Sequence, residues 1–505
     1  MTHWKFMGSA ALVALIAGNA ALADVTPEQV WQNWQNLSAS YGQAITASSA
    51  ERSGDTLLVR GVSVTAEQDG MSVAVNVGEV AFTDIGDGSV NITMSDQYPV
   101  DMIFPPAQGD TEPTGAKLTI SHPGLVMRAS GSDIETRYDY TVPTLSMVVS
   151  EIQGVDADKV NLTAAFGLTG MTGNYIITGT GDRALSSSVA ADGLSLNVAA
   201  TDPEGGGKFT MTAAMADLAG NSTGKLIAGV DLTDMAAALR AGFATDATFS
   251  YGQTDYSLDF ADATQTMASK GSVAGGDFSV AMDKTRLAYG AGSRDVAITV
   301  SGSDIPFPEV VVKFAESAFD ILMPVSKSDT VADFSMLTKL VDLTISDDVW
   351  SMFDPMANLP RDPVTVVFDA KGTGKLSVDL LDPDAMQSLG DTAPGEVNSI
   401  EVTDLTVKAV GAALTGSGAA TFDNTDLVSY DGLPAPTGRF DVKVVGANGL
   451  MDKLVQMGLL PEDQLMGFRM MLGMFAKGVE GEVDTMVSVL EFKDKGFFAN
   501  GMQLK

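Results

Sequence analysis

The residues best placed for chemistry lie in one small-residue stretch, Gly220-Asn221-Ser222-Thr223-Gly224-Lys225. Its first five residues fit the G-x-S-x-G pattern of a nucleophile elbow, which requires a strand–turn–helix context and a histidine later in the chain. The only histidine past residue 3 is His122, about 100 residues before Ser222. Ser222 and Lys225 also form an S-x-x-K pair without the companion motifs of that enzyme class. As a P-loop the stretch fails, because Ala219 and Leu226 stand where a glycine and a Ser/Thr are needed. His122, in Ser121-His122-Pro123-Gly124, has the makings of a general base, but Pro-Gly directly after it reads as a turn at a strand end. Zinc needs three or four Cys, His or carboxylate ligands, and only carboxylates are abundant here. Asp156-Ala157-Asp158 begins like a calcium loop, yet Gly167 occupies the position of the closing glutamate. Asp84-Ile85-Gly86-Asp87-Gly88 reads as a turn. No catalytic residue, metal ligand or cofactor is assigned. A hydrolase using Ser222 or an acid pair ranks third among functions.

A different kind of site is suggested by methionine, of which there are 26. Flexible, polarizable side chains suit surfaces that take varied apolar ligands, and they also fill irregular cores. The densest apolar cluster, Leu465, Met466, Phe468, Met470, Met471, Met474 and Phe475, is the candidate apolar-ligand surface, with core filling as the alternative.

Length and charge bound what such a surface can serve. Thirty Lys and Arg against 64 Asp and Glu give a net charge of −34 over 505 residues. A surface so acidic repels nucleic acid, so no nucleic-acid partner is expected. The 45% apolar content is that of a folded protein. Residues 1–23 read as a secretory signal peptide: Lys5 is the positive n-region, Phe6 through Ala20 the apolar stretch, and Ala21-Leu22-Ala23 the cleavage site before Asp24. The expected compartment is the periplasm, with secretion as second choice. No later segment has the roughly 18 to 20 apolar residues of a transmembrane helix.

The elements that must position any site are mostly strands. After a helix opened by Thr26, Pro27 and Gln29 in a capping box, with Val30, Trp34, Leu37 and Tyr41 on one face and Gly42 as its stop, the apolar period falls from 3.6 to 2. Met71-Val73-Val75-Val77, Val90-Ile92-Met94, Leu194-Leu196-Val198, Tyr256-Leu258-Phe260, Val296-Ile298-Val300, Leu376-Val378-Leu380 and Phe440-Val442-Val444 alternate with polar residues, the mark of antiparallel sheet with one wet face. Asp69-Gly70, Asp87-Gly88, Asp192-Gly193, Asp431-Gly432 and Asn500-Gly501 read as hairpin turns. Short helices are expected at 232–243, capped by Thr233 or Asp234, and more loosely at 331–342. A C-terminal αα-hairpin is expected around Gly458 and Pro461. The fold class is mainly β: a long antiparallel meander, curled into a trough or barrel or packed in layers, with a few short helices. The expected division is 24–245, an N-terminal helix with a β-rich half, and 246–505, a β-rich half with the helical hairpin.

Two stretches carry a family resemblance. One runs from Trp350-Ser351-Met352-Phe353-Asp354-Pro355 through Leu359-Pro360-Arg361-Asp362-Pro363 into Val364–Asp369. The other is the Gly458-Leu459-Leu460-Pro461 hairpin and its ending Phe497-Phe498-Ala499-Asn500-Gly501. With the leader and first helix they resemble an alphaproteobacterial exported family known as domain of unknown function 2125. The tail is more loosely similar to the periplasmic family domain of unknown function 945 and, through it, to β-groove envelope proteins of the AsmA type. The resemblance implies a β-rich envelope protein and supplies no active-site residues. The expected function is non-enzymatic binding or transfer of an apolar ligand such as lipid. A structural or interaction protein with an envelope partner is the alternative.

Overall fold

Alternation along the chain becomes alternation across a sheet in the computed structural model, which describes residues 24–40, 43–68, 70–106, 113–154, 161–202, 206–230, 234–390 and 392–505. The signal peptide, Tyr41, Gly42, Asp69, Asp156-Ala157-Asp158, Leu232 and Thr233 lie outside the described residues. The chain opens with α1 (Pro27–Ser40), β1 (Ala44–Thr46), β2 (Ser49–Ser53), β3 (Thr56–Gln68), β4 (Met71–Asp84), β5 (Val90–Met94) and β6 (Gln97–Phe104). It continues with β7 (Thr114–Ser121), β8 (Val126–Gly131), β9 (Glu135–Gln153), β10 (Asn161–Thr178), β11 (Arg183–Thr201), β12 (Lys208–Leu226) and α2 (Met235–Ala241). Next come β13 (Ala244–Tyr251), β14 (Thr254–Ala261), β15 (Thr266–Val273), β16 (Gly275–Met282), β17 (Arg286–Gly302), β18 (Val310–Pro324) and β19 (Ala332–Ile345). Then follow α3 (Asp347–Trp350), β20 (Val364–Leu376), α4 (Pro383–Leu389), β21 (Gly395–Ala409), β22 (Ala412–Asp423) and β23 (Ala435–Val445). The chain closes with α5 (Ala447–Gln456), α6 (Glu462–Phe475), β24 (Lys477–Gly478), β25 (Thr485–Lys493), β26 (Gly496–Ala499) and β27 (Met502–Gln503).

All 27 strands belong to one antiparallel sheet. It is open: among the described residues β1 and β2 pair only with β3, and β27 only with β26. Two blocks share one connectivity. The long β4 is shared by β5 and β6; β5 pairs with β8, β6 with β7, and both files rejoin on the long β9. In the same way β12 is shared by β13 and β14, which pair with β16 and β15 before the files rejoin on β17. The β12–β13 ladder carries the sheet across residues 245 and 246 without a break.

Only the N-terminal part of this sheet has a thick core. Thr26 and Gln29 exchange the two hydrogen bonds of a capping box, 3.3 and 2.8 Å. The helix they start lays Val30, Trp31 and Trp34 on Leu57, Val80, Phe82, Ile92 and Tyr138. Elsewhere side chains are mainly half-buried.

Four sequence expectations need correction. Residues 332–345 form strand β19, not a helix; Asp342 sits mid-strand at φ 55°, and this bulge-like step shifts the apolar phase from Phe334, Met336 and Leu340 to Leu343 and Ile345, mimicking a helical period. Asp192-Gly193 lies inside β11, where Asp192 fills the space above Gly170 (φ 62°) on the next strand; the Asp-Gly signal marks a mid-strand irregularity, not a turn. Leu376 ends β20, and Val378 and Leu380 belong to the loop leading to α4, whose Asp382 cap and Pro383 went unread. The mid-chain helix is shorter than expected, Met235–Ala241, with Asp234 accepting from the Ala237 amide and Gly242 closing it in the left-handed region.

Candidate functional site

Directly paired residues of an antiparallel sheet share a face, so register shows what each face carries. One row runs Leu57, Phe82, Ile92, Met127, Tyr140, Gly173, Val189, Gly220 and Phe249. It continues through Phe278, Ala291, Phe319, Thr338, Phe368, Leu405, Gly416, Val442 and Ser488. At about 4.8 Å per strand it extends on the order of 80 Å along the sheet, with Thr338 and Ser488 as its only residues that are neither apolar, aromatic nor glycine. The adjacent row, on the other face, is polar: Asn174, Ser188, Asn221, Thr248, Ser279, Gly290 and Asp320.

The long strands keep their apolar side chains on one face across mid-strand irregularities. In β12 the half-buried Phe209, Met211, Ala213 and Met215 give way at Asp217 (φ 52°) to the buried Leu218 and Gly220. Asp295 (φ 49°) does the same in β17. Aspartate tolerates this left-handed conformation better than the β-branched residues around it.

Opposite several aromatics of this face stand glycines. A Cβ at Gly173, Gly271, Gly372 or Gly418 would meet the ring of Tyr140, Tyr256, Phe334 or Phe440. The aromatics therefore lie down across neighbouring strands and line a shallow trough. Beyond the reach of α1 the trough is open among the described residues: Phe278, Tyr289 and Phe319 are each 38% exposed and in ring contact at 5.1 and 6.2 Å. A cavity of about 570 Å³ opens over Phe334, Gly372, Ile400 and Ala420.

Each end of the row meets a helix. At the N-terminal end α1 covers it. At the other end Ser488 Oγ donates to the Phe475 carbonyl, and Asn500 Nδ2 donates to the same oxygen at 2.8 Å, fixing the end of α6. Of the sequence-derived candidate surface, Leu465 and Phe475 are half-buried, whereas Phe468, Met471 and Met474 are exposed and Met466 and Met470 are 72% and 68% exposed. The loop between β19 and β20 leaves the same edge of the sheet and carries the exposed Met352, Phe353 and Met356. Its shape is held by the fully buried Asp354, whose carboxylate accepts the Asn358 and Leu359 amides at 2.8 Å. Burial pushes the Asp354 carboxyl up, and these amides with Arg361 outweigh it and hold it below the usual range. Pro360 lies against Gly411 in the β21–β22 turn, and Gly446, before α5, lies against Gly411 on its other side.

The residues first considered for chemistry are not brought together. Ser222 is mid-strand in β12, its hydroxyl 2.8 Å from that of Ser187 on β11, so the stretch is ladder and not an elbow. His122 is buried beside Tyr98, ring centroids 5.3 Å apart, with neither ring nitrogen hydrogen-bonded. Among the described residues no group of three His, Cys, Asp or Glu is placed to hold a metal, and no helix is long and apolar enough to cross a membrane.

Sequence reading missed Arg183. It shares the apolar face of β11 with Leu185 and Val189, is 9% exposed, and its Nη1 has no partner. An arginine in phase with an apolar alternation was the available signal.

Residues 224–494 match the family described as "Uncharacterized protein conserved in bacteria (DUF2125)". The match includes both the Trp350–Asp369 stretch and the Gly458–Pro461 hairpin. No curated protein and no solved structure is a match to the chain.

Proposed function

We propose, from the premise that the chain belongs to the bacterial family domain of unknown function 2125, that the uncovered apolar face binds the acyl chain of a lipid or similar amphiphile. The observation that carries this reading is the row of paired apolar positions leading from the α1 core to the methionine-rich α6. Burial there stabilises a bound chain by roughly 0.8 kcal/mol per methylene, and the trough offers length for many. The opposite polar face and the acidic surface keep the protein soluble while the trough is loaded. The methionine-rich α6, weakened as a helix by Gly467 and Gly473 in its turns, closes over or hands off the chain at its end.

Replacing Met470 and Met474 by Asp is expected to abolish uptake of a fluorescent fatty acid while the β-sheet circular dichroism stays unchanged. Both side chains are exposed, so the substitution does not threaten the fold. Wild-type protein that takes up no such probe would remove the ligand reading.

The leader motif supports export to the periplasm. N-terminal sequencing of protein from soluble periplasm should start at Asp24; an intact leader, or membrane retention after a high-salt wash, would contradict this. The exposed Met352–Met356 loop favours a second reading, docking to an envelope protein. Cross-linking from Met356 to a protein, with no lipid co-purified, would select it.

A further inference from the structure

We infer that Arg183 is the anchor for the anionic oxygen group, carboxylate or phosphate, of the amphiphile whose chain lies in the trough; this rests on the trough reading above. Every other arginine is ion-paired. Arg183 forms no ion pair among the described residues, although carboxylates outnumber cations two to one and the side chain is nine-tenths buried. A guanidinium cannot shed its proton at any ordinary pH. A buried charge with no ion pair among the described residues is costly, and it lines a cavity that has room for an anion. Arg183 lines a cavity of about 420 Å³ between the end of α1 and the β12 terminus, together with Asn36, Gly181, Leu226, Gly229 and Val230. The nearest acid in sequence, Asp182, is engaged elsewhere, accepting the Ala228 amide at 3.1 Å and so bracing the wall of the cavity.

Position makes the anchor fit the trough. Arg183 pairs with Leu226 across the ladder and sits on the same face as Leu185 and Val189. Val189 belongs to the apolar row itself. It lies six residues along β11 from Arg183, about 20 Å at the rise of a strand. An acidic head on the guanidinium therefore sends its chain along Leu185 and Ser187 toward that row. The fork of donors matches two oxygens of a carboxylate or phosphate, so a neutral ester is the discriminating control.

The test uses full-length protein, a pyrene-labelled long-chain fatty acid, its methyl ester, and inorganic phosphate. Wild-type protein is expected to bind the acid about 10- to 100-fold more tightly than the ester, the range of a charge-assisted hydrogen-bonded pair. Arg183→Gln should lose that preference with ester binding unchanged, and Arg183→Lys should keep part of it. Without ligand, Arg183→Gln should melt no lower than wild type, because it removes an unpaired buried charge. Equal wild-type affinity for acid and ester, or a preference retained in Arg183→Gln, overturns the anchor and leaves the trough standing. If phosphate alone raises the wild-type melting temperature, Arg183→Gln abolishes that effect and neither chain binds, the anion site stands and the trough falls. If none of the three binds wild type, both fall. Should Arg183→Gln not fold, the wild-type comparison and Arg183→Lys decide.

Discussion

Phe82→Ala is expected to lower stability by about 3 to 5 kcal/mol, the range for removing a fully buried aromatic. Phe82 is 0% exposed and lies between Trp31 and Trp34, with ring centroids 6.0 and 5.2 Å away. These rings sit at the centre of the contact between α1 and the sheet, so the cavity cannot collapse without shifting the helix. Trp34→Ala, at the half-exposed rim of the same cluster, should cost less. Urea unfolding followed by circular dichroism measures both. An unchanged midpoint for Phe82→Ala would mean that α1 does not rest on the sheet in solution.

The second large effect is on binding. Phe278→Asp combined with Phe319→Asp should weaken uptake of a long-chain fluorescent probe by about 50-fold, equivalent to losing about three buried methylenes. Phe278 and Phe319 are half-exposed on β16 and β18, the two strands that flank β17, each paired with its Ala291. Their loss leaves the backbone ladder intact, and the melting temperature should move little. Full uptake by the double variant would show that a chain does not travel this part of the face.

How far the sequence announced these features depended on whether their causes were local. The capping box at Thr26 and Gln29 is a four-residue signal, and it formed as read. The hairpin turn at Asn500-Gly501 likewise needs only its own two positive φ angles, 50° and 83°. The mainly β class followed from the alternation in β4, β14 and β23. Trp31 was missed because it flanks, rather than occupies, the stripe of Val30, Trp34 and Leu37. β19 and Asp192-Gly193 were misread because a left-handed residue inside a strand imitates, over a short window, a helix or a turn. The row from Leu57 to Ser488 could not be read at all: each step depends on a register between distant residues. The isolation of Arg183 is of the same kind, since it depends on which carboxylates fail to reach it.

The nested blocks have a kinetic meaning. Most ladders join strands that follow one another in the chain, so the closing loops are short and each new strand can add to a template already present. The sheet can be laid down in the order in which the chain is delivered, like a zipper drawn from the α1 end. Only at β5–β8 and β13–β16 must a strand wait while the next two pass and return. Those two places set the pace of assembly, and until they close, β5 and β13 each hold out an unpaired edge to any other chain nearby.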